Sequence, residues 1–171
     1  MSKNKKQYLS IFGIAALVIL IDQISKYIVR TNLKLREVWA PIPALKDFFR
    51  IIHWKNTGVA FGMFQGRGWI LTVIGIIAVV VIIIFCVQVK DSPAFYRTAL
   101  AMELGGALGN LIDRVNPSLG YVVDFIWIGN FPVFNLADSA ICIGAAVLII
   151  GIWREEKKKT ETETETETKN E

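Results

Sequence analysis

The stretch WILTVIGIIAVVVIIIFCVQV, residues 69–89, decides the fold class. Only Thr72 and Gln88 are polar in it, and about 20 apolar residues are enough for a helix to cross the hydrocarbon core of a bilayer. A soluble protein of 171 residues has too small an interior to bury so many aliphatic side chains. The stretch therefore predicts a transmembrane helix in an integral membrane protein.

Three further segments support the same class. Residues 9–29 and 137–153 are mostly apolar, and residues 95–112 are rich in alanine, leucine and glycine; the whole chain is 53% hydrophobic. We expect an all-α integral membrane protein with four transmembrane helices, at about 9–29, 69–89, 95–112 and 137–153, in a single domain over residues 1–153. Residues 154–171 alternate threonine and glutamate without an apolar face, which predicts a disordered charged tail.

The positions of the basic residues slightly favour one orientation. The N-terminal MSKNKK followed by an apolar run is typical of a signal peptide, but no A-x-A-like cleavage site follows, so an uncleaved first span is expected. Basic residues divide almost equally between the two sides, and those of the termini lie closer to the spans, which favours cytoplasmic termini. The loop at 30–68 is then extracytoplasmic, and its aromatic and β-branched residues, prolines and glycines predict a small β-rich region at the membrane interface.

The composition restricts the chemistry. A net charge of +4 without a basic stripe that alternates with aromatic residues favours contact with anionic membrane lipid and excludes a nucleic-acid partner. The single histidine, His53, and two cysteines inside predicted spans, Cys86 and Cys142, do not match zinc-site spacings. No metal and no cofactor are expected. Any catalysis must use carboxylates, amides, hydroxyls and basic side chains.

Charged residues inside membrane spans are candidates for function, because burial of an unpaired charge costs several kcal/mol. The motif DQISK places Asp22 and Lys26 one helical turn apart near the outer end of the first span. One interpretation is a self-neutralising pair that anchors the helix at the interface. The alternative is that the pair supports a functional site. Glu103, deeper in the third span, fits no pattern.

The motif GGALGNLIDR closes the third predicted span. Gly105 and Gly109 form a face of small residues that allows close approach of another helix. Asn110, Asp113 and Arg114 point to one side, where an amide and a guanidinium are suited to bind a peptide carbonyl or a carboxylate. The structural alternative is that Asp113 and Arg114 form an interfacial cap.

Two aspartates flank a turn later in the chain. YVVDFIWIGNFPVFNLADS predicts a strand, a two-residue turn at Gly129 and Asn130, a second strand and a helix start. This register sets Asp124 opposite Asn135, with Asp138 one helical turn beyond. Pro132 cannot donate in a β-ladder and weakens the pairing. Both aspartates could instead cap helices or turns.

If the two carboxylates meet in a low-dielectric site, they form an acid and a base side by side. Both cannot ionise easily, so one keeps its proton near neutral pH. The base can take a proton from water while the acid protonates a carbonyl oxygen, which is peptide hydrolysis without a metal or a covalent intermediate.

The ordered motifs DQISK, NTGVAF, GGALGNLIDR, VVDF and FNLADS resemble those of the lipoprotein signal peptidases (signal peptidase II), aspartic proteases of the bacterial membrane. The resemblance covers about residues 8–153. It departs at Val59, where the family often has alanine, and in the Thr/Glu tail, which lies outside the pattern; neither touches the chemistry.

The resemblance implies that Asp124 and Asp138 are the catalytic dyad. It implies substrate-binding or dyad-orienting roles for Asn56, Asn110, Arg114 and Asn135, and supporting roles for Asp22, Lys26, Gly58 and Asp113. The implied substrate is a prolipoprotein with a diacylglyceryl-modified cysteine, cleaved just before that cysteine, and the implied inhibitor is the cyclic peptide globomycin.

Two alternatives predict different sequence features. A small channel or transporter subunit would spread its acids along the spans near mid-bilayer, whereas here Asp22, Asp113, Asp124 and Asp138 cluster toward one end. A presenilin-type intramembrane protease requires a G-x-G-D motif, which this chain lacks.

Overall fold

The computed structural model describes residues 3–58, 68–89 and 92–170. The helices are α1 (Lys3–Asn32), α2 (Gly68–Gln88), α3 (Ala94–Val115) and α4 (Leu136–Asn170), and the strands are β1 (Val38–Trp39), β2 (Phe49–Asn56) and β3 (Val122–Ile128). A short 3-10 helix, Pro43–Leu45, lies between β1 and β2. Val59 and the rest of the second half of the NTGVAF motif lie outside the described residues.

The helices carry their apolar side chains on the outside as well as the inside. In the described part of the chain, three helical ranges are long and apolar enough to cross a membrane: Asn4–Asn32, Gly68–Gln88 and Leu136–Glu161. Leu17, Ile77 and Ile149 are each more than half exposed, which fits a surface solvated by lipid. The mostly helical membrane fold is therefore confirmed, with a membrane-spanning composition in three of the four helices.

Helix α3 is more polar and lies at the centre, packed against α1, α2 and α4. Its 22 residues span about 33 Å at 1.5 Å per residue. Leu100, Ala101 and Leu104 are buried in a core with Ile11 and Ala15 of α1. The neighbouring helices shield α3 from lipid, which is why it tolerates polar residues.

Glycines of α3 set the distance to its neighbours, as the motif predicted. A Cβ on Gly105 would lie 2.7 Å from Val18 Cβ on α1, and one on Gly109 would lie 2.7 Å from Asp22 Oδ2. A Cβ on Gly106 would overlap the carbonyl oxygen of Ala137 on α4. Three helix backbones therefore meet at this part of α3, and only glycine leaves room for them.

The three strands form an antiparallel sheet in the order β1-β2-β3, which confirms the small β region. Trp54 of β2 lies opposite Asp124 of β3. Cations stack on aromatic rings across the sheet: the Arg50 guanidinium lies 3.5 Å from the Trp127 ring centre, a favourable contact for arginine. The sheet thus holds Asp124 on a fixed strand at one end of the helices.

The predicted hairpin register is wrong by one residue. Phe134 pairs with Ile126 in an isolated bridge, whereas the predicted register pairs it with Phe125. Phe131 N–H bonds the Ile128 carbonyl at 2.9 Å in a turn. The chain then leaves the ladder at Pro132, which has no N–H, so a bridge replaces the expected second strand.

The C-terminal segment is helical beyond the last predicted span. α4 continues through Asn170, where the sequence predicts a disordered tail at 154–171. No glycine or proline follows Gly151, and ion pairs one helical turn apart, Lys157–Glu161 at 3.8 Å and Lys159–Glu155 at 3.7 Å, support the helix. Both ion pairs lie at the start of the segment, before most of the Thr/Glu repeat.

The glycine packing gives a test of the fold. We expect Gly106→Ala to destabilise the protein by about 1–3 kcal/mol, because the added methyl forces α3 and α4 apart. Thermal unfolding in detergent micelles measures it. Gly13→Ala is the matched control, since nothing lies within 4 Å of a Cβ there and its melting temperature should not fall. Equal melting temperatures for Gly106→Ala and the unmodified protein would contradict the packing argument.

Candidate active site

A buried lysine lies at the centre of the polar network. The side chain of Lys26 is 1% exposed, and its ammonium lies 2.8 Å from Asp22 Oδ2 and 3.1 Å from Asp113 Oδ2. It also donates to Asn110 Oδ1 at 3.0 Å. The three N–H donors of an ammonium thus meet three acceptors. The charge is fully compensated inside the protein, which is the condition for its burial.

The two carboxylates bound to Lys26 extend the network to the other elements. Asp22 Oδ1 accepts the backbone N–H of Ala137, in the first turn of α4, at 3.0 Å. Asp113 Oδ2 accepts the backbone N–H of Val123, next to Asp124 on β3, at 3.1 Å. The positions of β3 and of the start of α4 are thereby fixed relative to α1 and α3.

Asn110 links Lys26 to Asp138 through hydrogen bonds. Its Oδ1 accepts from Lys26 and, at 3.0 Å, from Asn135 Nδ2. Because lysine can only donate, the oxygen of the Asn110 amide must face it, and the amide nitrogen must face away. That nitrogen donates to Asp138 Oδ1 at 2.8 Å, so the cation fixes the donor that Asp138 receives.

Asn135 bridges the two aspartates of the predicted pair. Its Nδ2 donates to Asp124 Oδ1 at 2.7 Å, and its backbone N–H donates to Asp138 Oδ2 at 3.2 Å. In return, the N–H of Asp138 donates to Asn135 Oδ1 at 2.9 Å. The last two bonds form a reciprocal cap at the start of α4. Asp138 therefore caps its helix and also faces the site.

Asp124 is the more enclosed carboxyl, with 1% of its surface exposed, whereas Asp138 is half-buried. Asn56 Nδ2 donates to Asp124 Oδ2 at 2.8 Å, and Asn56 Oδ1 accepts the N–H of Gly58 at 3.0 Å. Burial, followed by the nearby charge of Asp138, raises the pKa of Asp124 from 3.8 to about 7. An aspartate in this state is an acid at neutral pH.

Arg114 brings a second positive charge to the site. It is half-buried, and it interacts electrostatically with Asp138, Asp124 and Asp113. The arginine therefore lies on the same side as both aspartates. A guanidinium there can bind a carbonyl or carboxylate oxygen of a ligand through parallel N–H donors.

The structure brings all the sequence-predicted site residues to one end of the helices. They come from α1, β2, α3, β3 and α4 and the short segments beside them: Asp22, Lys26, Asn56, Gly58, Asn110, Asp113, Arg114, Asp124, Asn135 and Asp138. His53 lies in the predicted β-rich region; it is buried in β2, where its Nδ1 lies 3.0 Å from the Leu33 carbonyl oxygen. It has no bond to the site residues in the part of the chain that the structure describes.

The sequence analysis missed Gln23. Its Nε2 lies 3.2 Å from Asp22 Oδ2, 3.1 Å from Asp113 Oδ1 and 3.1 Å from the carbonyl oxygen of Gly109. The amide thus holds both carboxylates that compensate Lys26. Gln23 could have been identified from the sequence as a polar side chain inside a predicted span. It was left out because only ionisable residues in the spans were considered. Glu103 remains without a role; its Cγ packs against Gly144.

Comparisons with known proteins identify the family. The model of the family described as signal peptidase (SPase) II matches residues 14–154. A lipoprotein signal peptidase of Halothermothrix orenii is 39% identical over 147 residues, which cover 86% of this chain and 97% of that protein. One of Caldanaerobacter subterraneus subsp. tengcongensis is 43% identical over 139 residues, covering 79% and 90%.

Solved structures agree with the sequence relatives. A bacterial membrane enzyme determined by the in meso method superposes with a TM-score of 0.75 at 36% identity, covering 85% of this chain and 88% of that one. A second structure described in the same words gives a TM-score of 0.67 at 35% identity, covering 81% and 89%. The chain belongs to the signal peptidase II family.

Proposed function

We propose that this protein is an aspartic endopeptidase that removes the signal peptide from diacylglyceryl-modified prolipoproteins, cleaving just before the modified cysteine. Family membership and relatives named lipoprotein signal peptidase support cleavage of lipoprotein signal peptides. The observation that carries the aspartic mechanism is the bridge between the two carboxyls: Asn135 bonds Asp124 and Asp138 at once. Two carboxyls held by one asparagine, of which one has a raised pKa, can act as the acid and the base that the reaction requires.

The two carboxyl groups have different roles in the reaction, which follow from their different burial. Asp138, half-buried, accepts a proton from a water molecule, and the water oxygen attacks the scissile carbonyl carbon. Asp124, enclosed and protonated, gives its proton to the carbonyl oxygen. The resulting tetrahedral diol collapses when Asp138 passes its proton to the amide nitrogen, the C–N bond breaks and Asp124 regains a proton. The water has then been added across the peptide bond.

The amides and the arginine position the reactants. Asn110 and Asn135 donate to the carboxyl oxygens and hold the two groups in register. Asn56 donates to Asp124, and Gly58 fixes the Asn56 amide. Arg114 lies beside both acids and is suited to bind a backbone carbonyl of the substrate. Asp22, Lys26 and Asp113 form the support behind them.

We further propose four membrane spans over a single domain of residues 1–153. The central helix α3 is long enough to cross the bilayer, although its charges are held among the other helices. The ends of α1 and α3, the start of α4 and the sheet all lie at the dyad end, and the basic groups near both termini lie at the other. The positive-inside rule then favours cytoplasmic termini and an extracytoplasmic active site.

A substrate held in the bilayer agrees with this arrangement. Withdrawal of acyl chains from lipid costs about 0.8 kcal/mol per CH₂ group, so the scissile bond must meet its catalyst at the membrane surface. Resemblance to the family also favours inhibition by globomycin. A channel or transporter subunit is not favoured, because the buried acids cluster at one end of the helices and do not follow a path across them.

The dyad is tested by isosteric replacement. We expect Asp124→Asn and Asp138→Asn each to reduce cleavage of a lipid-modified prolipoprotein by at least about 10³-fold while the protein stays folded, since an amide cannot exchange the proton. Turnover of purified variants in micelles measures the effect, with melting temperature as the check on folding. Asp47→Asn, the same change at an exposed aspartate, is the control and should keep full activity. Retained turnover in either dyad variant would overturn the mechanism.

The raised pKa of Asp124 predicts the pH profile. Because Asp124 must be protonated, kcat/KM should fall as the pH rises through about 7. Asn56 donates to the ionised carboxylate and lowers its pKa, so Asn56→Ala should move this alkaline limb upward by about one pH unit, the equivalent of one hydrogen bond to a charged group. Asn32→Ala, at the exposed end of α1, should leave the limb in place. An unmoved or lowered limb in Asn56→Ala would contradict the assignment.

The requirement for lipid on the substrate is tested with paired precursors. We expect kcat/KM for a diacylglyceryl-modified precursor to exceed that for the same unmodified precursor by at least about 100-fold, because the acyl chains concentrate the scissile bond at the membrane surface. Product release is measured with protein in liposomes, and Asp124→Asn supplies the background. Equal rates for the two precursors would rule out the proposed substrate class.

A further inference from the structure

Strand β2 has a free edge beyond the end of β1. The backbone of His53 still pairs on that edge: its carbonyl accepts the N–H of Arg36 at 2.7 Å, and its N–H donates to the Glu37 carbonyl at 3.2 Å. Backbone groups of an antiparallel strand alternate between its two edges. Those of Lys55, two residues further along β2, therefore face the same edge as those of His53.

The contacts of β3 lead to the same orientation. Lys55 lies opposite Val123, whose N–H donates to Asp113 Oδ2 at 3.1 Å and whose carbonyl accepts from Asn135 Nδ2 at 3.5 Å. Val123 and Lys55 thus do not exchange backbone hydrogen bonds, and the N–H and C=O of Lys55 point away from β3. Within the described ranges of the chain, neither group has a hydrogen-bond partner.

A turn takes the preceding chain away from this edge. Glu37 N–H donates to the Lys34 carbonyl at 2.9 Å, and the Glu37 carboxylate accepts the N–H of Lys34 at 2.7 Å. Arg36, inside the turn, has a φ of 66°, a left-handed conformation that is unfavourable for a residue with a Cβ. Residues 34–36 therefore do not continue β1 alongside Lys55, which is exposed.

The free edge adjoins the proposed dyad. Trp54, on one side of Lys55, lies opposite Asp124, and Asn56, on the other side, donates to the Asp124 carboxyl at 2.8 Å. A cavity of about 220 Å³ opens at this edge, lined by Leu35, Arg36, Trp54, Lys55 and Thr57. A peptide that pairs with a sheet edge places alternate side chains on one face, and this cavity can receive one of them.

We propose that the substrate segment that follows the modified cysteine adds to β2 as a further strand. The N–H of Lys55 donates to a substrate carbonyl, and the carbonyl of Lys55 accepts a substrate N–H. This binding mode rests on the proposed peptidase function. Pairing through the backbone gives affinity without selection of side chains, which suits an enzyme whose precursors differ in sequence after the cysteine.

The dimensions of a sheet place the paired segment a few residues from the cleaved bond. An added strand lies about 4.8 Å from β2 and so about 10 Å from β3, which carries Asp124. At about 3.3 Å per residue, about three residues bridge that distance. The segment before the cysteine is the apolar signal peptide, which stays in the bilayer, so the segment after the cysteine is the one that reaches the sheet.

The test measures binding of a diacylglyceryl-modified precursor peptide to the full chain with Asp124→Asn, in detergent micelles, so that cleavage does not interfere. In a series of peptides, the backbone nitrogen of each residue from the second to the sixth after the cysteine is methylated in turn. We expect methylation at one position to raise Kd at least about fivefold, the equivalent of one hydrogen bond. The two adjacent positions should change Kd less than twofold, because their N–H groups face away from β2.

Lys55→Pro removes the edge N–H from the protein. Proline is tolerated at such a position, because this N–H has no partner in the ladder. Still in the Asp124→Asn chain, we expect Lys55→Pro to have a Kd at least about fivefold above that of Lys55→Val, which loses the same side chain and keeps the N–H. Methylation at the sensitive position should then cost less than twofold in Lys55→Pro. Melting temperatures check the folding of both variants.

Three results would overturn the added strand: no binding of the peptide, equal effects of methylation at all positions, or an unchanged methylation effect in Lys55→Pro. If Lys55→Pro does not fold, the pattern of methylation effects decides. Cleavage of the precursor by the protein without substitutions tests the peptidase function separately. Cleavage with equal methylation effects contradicts only the strand, and a single sensitive position without cleavage contradicts only the peptidase.

Discussion

The structure depends on the compensation of one buried cation. Lys26 is almost fully buried, and its ammonium forms ion pairs with both Asp22 and Asp113. An ammonium left unpaired in this interior would cost several kcal/mol. The pairing therefore holds α1 and α3 in one relative position, and the same carboxylates reach the backbone of α4 and of β3. Secondary elements far apart in the chain are joined through a single charge.

Compensation of this charge also orders the proposed dyad. The Asn110 oxygen faces Lys26, so the Asn110 nitrogen faces Asp138, and Asn135 completes the path to Asp124. Each amide has one orientation that satisfies both of its neighbours. The glycines of α3 are necessary for this, because a Cβ at Gly109 would take the space that Asp22 occupies. The arrangement of the site therefore depends on the close packing of the helices.

The sequence predicted what depends on composition and local spacing. Residue type and helical period are enough to predict the apolar helices and the face of small residues at Gly105 and Gly109. They also predict the end of the helices at which the acidic residues lie. The predicted hairpin register was wrong by one residue, because the segment leaves the β-ladder at Pro132. The Gly129-Asn130 turn pattern predicts the turn but not this departure. Gln23 was missed because two of its three bonds reach partners in α3 and depend on how α1 rotates against α3.

The dyad end differs from the opposite end in holding charges inside the protein. Lys26 is paired there with Asp22 and Asp113 in the interior, while Lys34, Arg36 and Lys46 of the loops beside the sheet are exposed. At the other end, Arg154 and the lysines that follow it lie outside the helical core, where phosphate headgroups can compensate them. Basic side chains are thus exposed at both ends, and the dyad end adds a buried cation whose carboxylate partners reach the backbone beside both proposed catalytic aspartates, Val123 next to Asp124 and Ala137 next to Asp138.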